Sequence, residues 1–145
     1  MKEEEHITRN EQETEKLGGE VIRQLLAEKG KRRVVLLYGQ IGAGKTVFVK
    51  GVCKELNFYV VTSPSFVLVN IYPTKPVIYH IDLYRLEGKK DIEDTEIEEL
   101  LLRSTHGLVF VEWAEKLGEL FPKDAIKVTI KHLGDTCREI EIERP

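Results

Sequence analysis

Eight consecutive residues, Gly39-Gln40-Ile41-Gly42-Ala43-Gly44-Lys45-Thr46, constrain this chain more than any other stretch. They spell G-x-x-x-x-G-K-[ST], the pattern of a phosphate-binding loop. The flanks agree with the letters. Residues 34–38 (VVLLY) form a short apolar run rich in strand formers. Behind the loop, Val47, Phe48, Val49, Val52, Cys53 and Leu56 repeat with helical spacing. Strand, loop and helix in this order predict the nucleotide-binding unit of an α/β fold. The alternative, a glycine-rich turn ahead of an ordinary helix with Lys45 in solvent, explains the letters but not their setting.

Each residue type in the loop has a chemical reason to be there. Gly39, Gly42 and Gly44 let the backbone turn its N–H groups toward a phosphate. The helix beginning at Lys45 aims its positive end at the same point. Lys45 can bridge the β- and γ-phosphates, and Thr46 can offer its hydroxyl to Mg²⁺. The expected nucleotide-contacting stretch is therefore Gly39, Gln40, Ile41, Gly42, Ala43, Gly44, Lys45, Thr46 and Val47, with ATP and Mg²⁺ as the ligands.

Two apolar runs end in a carboxylate. Residues 77–82 (VIYHID) end at Asp82, and residues 107–113 (GLVFVEW) carry Glu112 at the same place. In a parallel sheet such strand ends lie beside the phosphate loop, where a carboxylate can hold Mg²⁺ or orient water. Asp82 and Glu112 compete for these roles, and the sequence does not divide the work. The run 59–62 (YVVT) predicts a strand or extended segment. Ser63-Pro64-Ser65-Phe66 then predicts an extended loop, because Pro64 disfavours a helical Ser63. Such a loop could sense a γ-phosphate like a switch segment, or be a plain turn.

The rest supplies the frame. Asn10 with Glu13 reads as a helix cap, Leu17, Val21, Ile22, Leu25 and Leu26 as one helical face, and Gly30 as the stop. Gly18-Gly19 inside that helix either weakens it or permits a close approach. Ile7 and Thr8 suggest a short edge strand. Residues 67–72 and 77–82, joined by a turn at 73–76, predict an antiparallel hairpin. Ile92, Ile97, Leu100 and Leu101 predict an amphipathic helix with an acidic outer face. Residues 114–120 suggest a short helix, and 126–131 with 138–143 a second hairpin, polar outward, whose charged side chains read as edge protection. The fold class is thus α/β: one P-loop domain over residues 1–145, with a mixed parallel and antiparallel sheet flanked by helices. Its parallel core draws on the strands near 34, 77 and 109.

Composition narrows the function classes. An apolar fraction of 41% and a charged fraction of 32% are those of a soluble globular chain. No apolar run could span a membrane, and the charged start MKEEEH lacks a secretory core, so a cytoplasmic protein without membrane contact is expected. Cys53 and Cys137, the two cysteines, have no metal-ligand spacing. The net charge of −3, with one basic cluster at 29–33, argues against direct nucleic-acid binding but not against action through a partner.

Four motifs then occur in series: Gly42-Ala43-Gly44-Lys45-Thr46, Thr62-Ser63-Pro64-Ser65-Phe66, His80-Ile81-Asp82-Leu83-Tyr84-Arg85 and Val111-Glu112-Trp113. The series resembles the TsaE (YjeE) family of small bacterial P-loop ATPases, from about the first helix to the C-terminal hairpin. The resemblance implies a Mg-dependent ATPase that works with TsaD-like and TsaB-like proteins in forming threonylcarbamoyladenosine on tRNA, touching tRNA only indirectly. It implies Glu112 and Asp82 as catalytic and metal-binding carboxylates, Lys45 and Thr62 as further catalytic residues, and Trp113 near the nucleotide, although an aromatic at a strand end is more often core. Gln40-Ile41 stands where many members have Asp-Leu, and Ser65 where many have Thr. His80 reads as a hydrogen-bonded structural histidine rather than a ligand, and Arg85 is open between a phosphate, a partner and Asp82. Two other functions fit the same loop: a small metabolite kinase, for which residues 86–103 offer a poor lid, and a nucleotide-gated binding module with incidental hydrolysis.

Overall fold

A computed structural model describes residues 2–28, 33–40, 42–62, 68–93, 95–102, 107–120 and 122–145. Gly30, Ile41, the Ser63-Pro64-Ser65-Phe66 segment, Val67, Asp94 and Arg103 lie outside the described residues. In chain order the elements are β1 (Lys2–Thr8), α1 (Glu11–Ala27), β2 (Val34–Tyr38), α2 (Lys45–Glu55), β3 (Val69–Tyr72), β4 (Ile78–Asp82), α3 (Glu96–Leu102), β5 (Leu108–Glu112), β6 (Ile126–Gly134) and β7 (Cys137–Arg144). Short 3₁₀ turns at Lys89–Asp91 and Ala114–Leu117 precede α3 and follow β5.

The seven strands form one sheet in the order β1-β7-β6-β2-β5-β4-β3. Four central strands are parallel: β2 pairs with β5 and β6, and β5 with β4. Antiparallel pairs close both sides, β3 on β4 and β7 on β6, with β1 added to β7. The α/β class and the mixed sheet expected from the sequence are what the chain adopts. The alternation of side chains along each strand divides the core in two. Val35, Leu37 and Phe110 face α1 and α2, meeting Leu17, Ile22, Phe48 and Val52. Val34, Leu36, Val109 and Val111 face the other way, under Ile92, Ile97, Leu101 and Leu117. A parallel sheet with both faces covered explains why residues 34–37 and 108–111 are almost continuously apolar.

Four expectations need correction. The N-terminal strand is seven residues, Lys2–Thr8, not a two-residue edge at Ile7 and Thr8, because it finds a full antiparallel partner in β7. That pairing also moves β6 and β7 inside the sheet; the edges are β1 and β3, so the charges of the second hairpin coat a solvent face rather than guard an edge. Of the two readings of 59–62, strand or extended segment, the strand does not form, and Tyr59 and Val60 are exposed. The acidic amphipathic segment breaks into a 3₁₀ turn and the seven-residue α3, though Ile92, Ile97 and Leu101 are buried as the periodicity requires.

The α1 cap forms as read: the Glu13 N–H donates to Asn10 Oδ1 at 2.8 Å, and Glu13 Oε1 accepts from the Arg9 N–H at 3.0 Å. Cys53 on α2 is fully buried, and loss of hydration pushes its thiol up from 9.0 to about 12, whereas Cys137 is half-buried. A thiol reagent in mildly alkaline buffer should modify Cys137 readily and Cys53 only after unfolding; two equally fast thiols would contradict this packing. A thiol raised on folding contributes stability below its ordinary value, so stability should fall as pH rises from 9 toward 12.

Candidate functional site

β2 delivers the chain to the phosphate loop at Tyr38, and α2 starts at Lys45, so the loop caps the C-terminal end of the parallel sheet. Gly44, the N-cap of α2, has φ 112°, and Gly39 has φ 150° with Ile130 O only 2.6 Å from where a Cβ would stand. Both positions need glycine, one for its left-handed backbone and the other also for its close approach. At the neighbouring strand ends, register places Asp82 directly beside Glu112, and Glu112 beside Leu37. Two carboxylates therefore flank the loop, 3% and 4% exposed.

The polar contacts bind these parts into one unit. Thr46 Oγ1 donates to Glu112 Oε2 at 2.9 Å, joining the first turn of α2 to the end of β5. Lys45 Nζ donates to Gly39 O at 2.6 Å and lies 3.8 Å from the centroid of the Trp113 ring. Trp113 itself has a left-handed backbone, φ 59°, an uncommon state for a bulky residue that turns the indole over the lysine. Asp82 Oδ1 accepts from the Tyr84 N–H at 2.9 Å, and the Tyr84 ring packs 5.0 Å from that of Trp113. Burial draws the Lys45 ammonium below its ordinary pKa, while the carboxylates of Glu112, Glu115 and Asp82 push it back up.

A cleft of about 440 Å³ opens here. Gly42, Gly44, Lys45, Thr46, Val47, Asp82, Glu112 and Trp113 line it, which brings together most of the residues expected from the sequence. Gly39, Gln40 and Ala43 instead line an adjoining cavity, with Gly42 shared between the two. Ile41 lies outside the described residues. Among the described residues, Thr62 is not part of the cleft lining, and Asn70 and Tyr72 contact it. Trp113 is half-buried, forming part of the cleft wall while packing against the core beneath it. His80 is fully buried and hydrogen-bonded through both ring nitrogens, to Tyr72 and to Glu112.

Sequence reasoning missed Glu11, Tyr84 and Arg138 in the cleft wall. Tyr84 carried a signal, two residues beyond Asp82. Arg138 carried none; it arrives from β7, and its Nε donates to Ala43 O at 2.6 Å, bracing the loop from across the sheet.

The donor chemistry suits a metal-bound polyphosphate. Lys45 is a buried cation with no carboxylate oxygen within 4.0 Å among the described residues; its partners are a carbonyl and an indole face. A cation kept this way has its charge available to an anion. Thr46, Glu112 and Asp82 offer only oxygens, the donor set of a hard cation such as Mg²⁺.

The family described as "Threonylcarbamoyl adenosine biosynthesis protein TsaE" matches residues 8–140. The tRNA threonylcarbamoyladenosine biosynthesis protein TsaE of Treponema pallidum is 34% identical over 137 residues, covering 94% of this chain and 97% of that protein. Its namesake from Rickettsia felis is 36% identical over 137 residues, covering 91% and 75%. Among solved structures, that titled "Crystal structure of Bacillus subtilus YdiB" superposes with a TM-score of 0.74 at 28% identity, over 99% of this chain and 86% of that one. With the P-loop, the paired strand-end carboxylates and the Glu112-Trp113 turn all in place, this chain belongs to the TsaE family of threonylcarbamoyladenosine biosynthesis proteins.

Proposed function

We propose that this protein binds ATP with Mg²⁺ and hydrolyses it in support of a TsaB–TsaD complex that forms threonylcarbamoyladenosine on tRNA. The observation that carries the reading is the 2.9 Å bond from Thr46 to Glu112, made beside the buried Lys45, which has no carboxylate oxygen within 4.0 Å among the described residues. It links the hydroxyl and the carboxylate that a P-loop hydrolase needs on its metal. Lys45 and the loop N–H groups bind the phosphates. Thr46, Glu112 and Asp82 hold the Mg²⁺, which when bound neutralises charge on the phosphate oxygens. Thr46 and His80 both bond Glu112 at Oε2. Oε1 is therefore the carboxylate oxygen with lone pairs to spare, for metal or for the attacking water. Lys45 and the α2 N-terminus meet the negative charge as it develops in the transition state. Trp113 covers Lys45 and limits water around it.

Partner support rests on the family, and the net charge of −3 favours contact with tRNA through partners. Steady-state phosphate release is measured alone and then with TsaB-like and TsaD-like proteins added. The expected result is slow turnover alone that rises with the partners. Turnover indifferent to the partners rejects the supporting role. Tight nucleotide binding with no turnover in either case points instead to a nucleotide-gated module.

A further inference from the structure

Glu112 has a second anchor that neither the P-loop pattern nor the paired carboxylates requires. His80 Nε2 lies 2.6 Å from Glu112 Oε2, and an ionised carboxylate can only accept, so the ring N–H donates. His80 Nδ1 is hydrogen-bonded to the Tyr72 hydroxyl at 2.9 Å. That hydroxyl also lies 3.1 Å from Thr62 O; its single proton goes to Thr62 O when Nδ1 carries a hydrogen and to Nδ1 when it does not, and Asn70 Nδ2 donates to Thr62 O and Oγ1 at 3.3 Å. An unbroken path of close polar contacts thus runs from Thr46 through Glu112, His80 and Tyr72 to Thr62.

The path is well held. His80 is fully buried, Tyr72 is 4% exposed, and the Tyr72 ring packs 5.0 Å from the Phe58 ring. β3, β4 and β5 lie side by side, so the hydroxyl, the imidazole and the carboxylate come from three successive strands of one rigid sheet. Burial raises the Tyr72 hydroxyl above its ordinary pKa, which keeps its proton in place. Asp82 has no such brace from His80; the Tyr84 N–H bonds it instead.

We propose that Tyr72 and His80 form a buried bracket that sets the position of Glu112 and ties it to Thr62. His80 is then a positioning residue acting through Glu112. The bracket rests on the metal-binding reading of Glu112 given above. Partners that orient a metal ligand typically matter by 10- to 100-fold in metal affinity or rate, and the bracket has that form.

The test uses the full chain and two readouts. Trp113 is the sole tryptophan and lies in the cleft, so its fluorescence reports ATP binding with Mg²⁺ and with the metal chelated away. Phosphate release with the partner proteins gives kcat and KM. His80→Leu should lose about 10- to 100-fold both in kcat and in the factor by which Mg²⁺ tightens ATP binding, with metal-free ATP affinity unchanged. His80→Gln, which keeps an N–H donor, should recover much of both. Tyr72→Phe removes one hydroxyl and leaves the ring packed, so it carries the test if His80→Leu does not fold; it should lower kcat with little change in KM. An unchanged Mg²⁺ factor and kcat in His80→Leu or Tyr72→Phe overturns the bracket. So does an equal loss of metal-free affinity, which would mean general packing. A wild-type protein that hydrolyses no ATP defeats the ATPase reading, while the Mg²⁺ factor still decides the bracket. If Mg²⁺ leaves ATP affinity unchanged in the wild type, the metal assignment falls and the bracket with it.

Discussion

Lys45→Ala should abolish ATP binding and turnover together, whereas Glu112→Gln should keep binding and lose turnover. The split follows from what each group faces. Lys45 is 5% exposed and, among the described residues, meets the Gly39 carbonyl and the Trp113 ring. Removing it takes away the one buried cation at the loop among the described residues, and a polyanion then has only N–H groups to meet. Glu112 is a negative charge in a site for a negative ligand, so neutralising it does not weaken metal-free binding. It does remove the carboxylate that Thr46 and His80 orient. Loss of one preorganised polar group in an active site commonly lowers kcat by about 10²- to 10³-fold, and that is the expected size here. Gln is the better test than Ala, since its carbonyl oxygen can still accept from Thr46 or His80. Alanine would strand the fully buried His80 N–H, at about 1–3 kcal/mol, and leave the part-buried Thr46 hydroxyl without its acceptor. Phosphate release in the presence of the partner proteins and Trp113 fluorescence check both halves. Wild-type turnover in either variant would sink the assignment of catalytic groups.

The parts of this site legible in the sequence are those whose signal is local. The phosphate loop is contiguous, and the carboxylates end short apolar runs, so position along the chain and position in space coincide. Strand periodicity likewise gave the β3–β4 hairpin, whose antiparallel register is now seen. The parts that stayed hidden depend on pairing across distance. β1 is built from KEEEHIT, a poor strand former by composition, yet it runs seven residues because β7 offers a full antiparallel ladder. The end of that ladder is further tied where Arg144 meets Glu4 and Gln24. Arg138 reaches the loop only because β7 folds back along β6, and β6 reaches it only because it lies parallel to β2. The left-handed backbone of Trp113 has no residue preference to announce it. His80 and Tyr72 were visible as residues but not as partners, since their bond spans two strands.

Gly51→Ala should be the most damaging small substitution in the helical layer. α1 and α2 cross so closely that a Cβ on Gly51 would stand 1.8 Å from Glu15 O and 2.5 Å from the Glu15 C and Cα. All three are backbone atoms, so relief requires the helices themselves to part. The reciprocal contact is only slightly looser: a Cβ on Gly18 would lie 2.3 Å from Phe48 O. Alanine gains up to about 1 kcal/mol over glycine in a helix interior, but overpacking against a rigid backbone costs about 1–3 kcal/mol or more, and here the steric cost wins. A net loss of roughly 2 kcal/mol would lower the melting temperature by several degrees in a chain of this size. The displacement would also reach function, because α2 carries Lys45 and Thr46 at its first turn. Gly19→Ala is the control. Its nearest neighbour is the Glu55 side-chain oxygen at 3.3 Å, the end of a flexible group that can swing away. That variant should be neutral or slightly stabilising, although it is adjacent to Gly18 on the same helix. Thermal unfolding of Gly18→Ala, Gly19→Ala and Gly51→Ala separates the two explanations of these glycines. If all three melt alike, the helices do not need the close crossing. If Gly18 and Gly51 fall and Gly19 does not, the small residues are there to let two backbones touch beneath the phosphate loop.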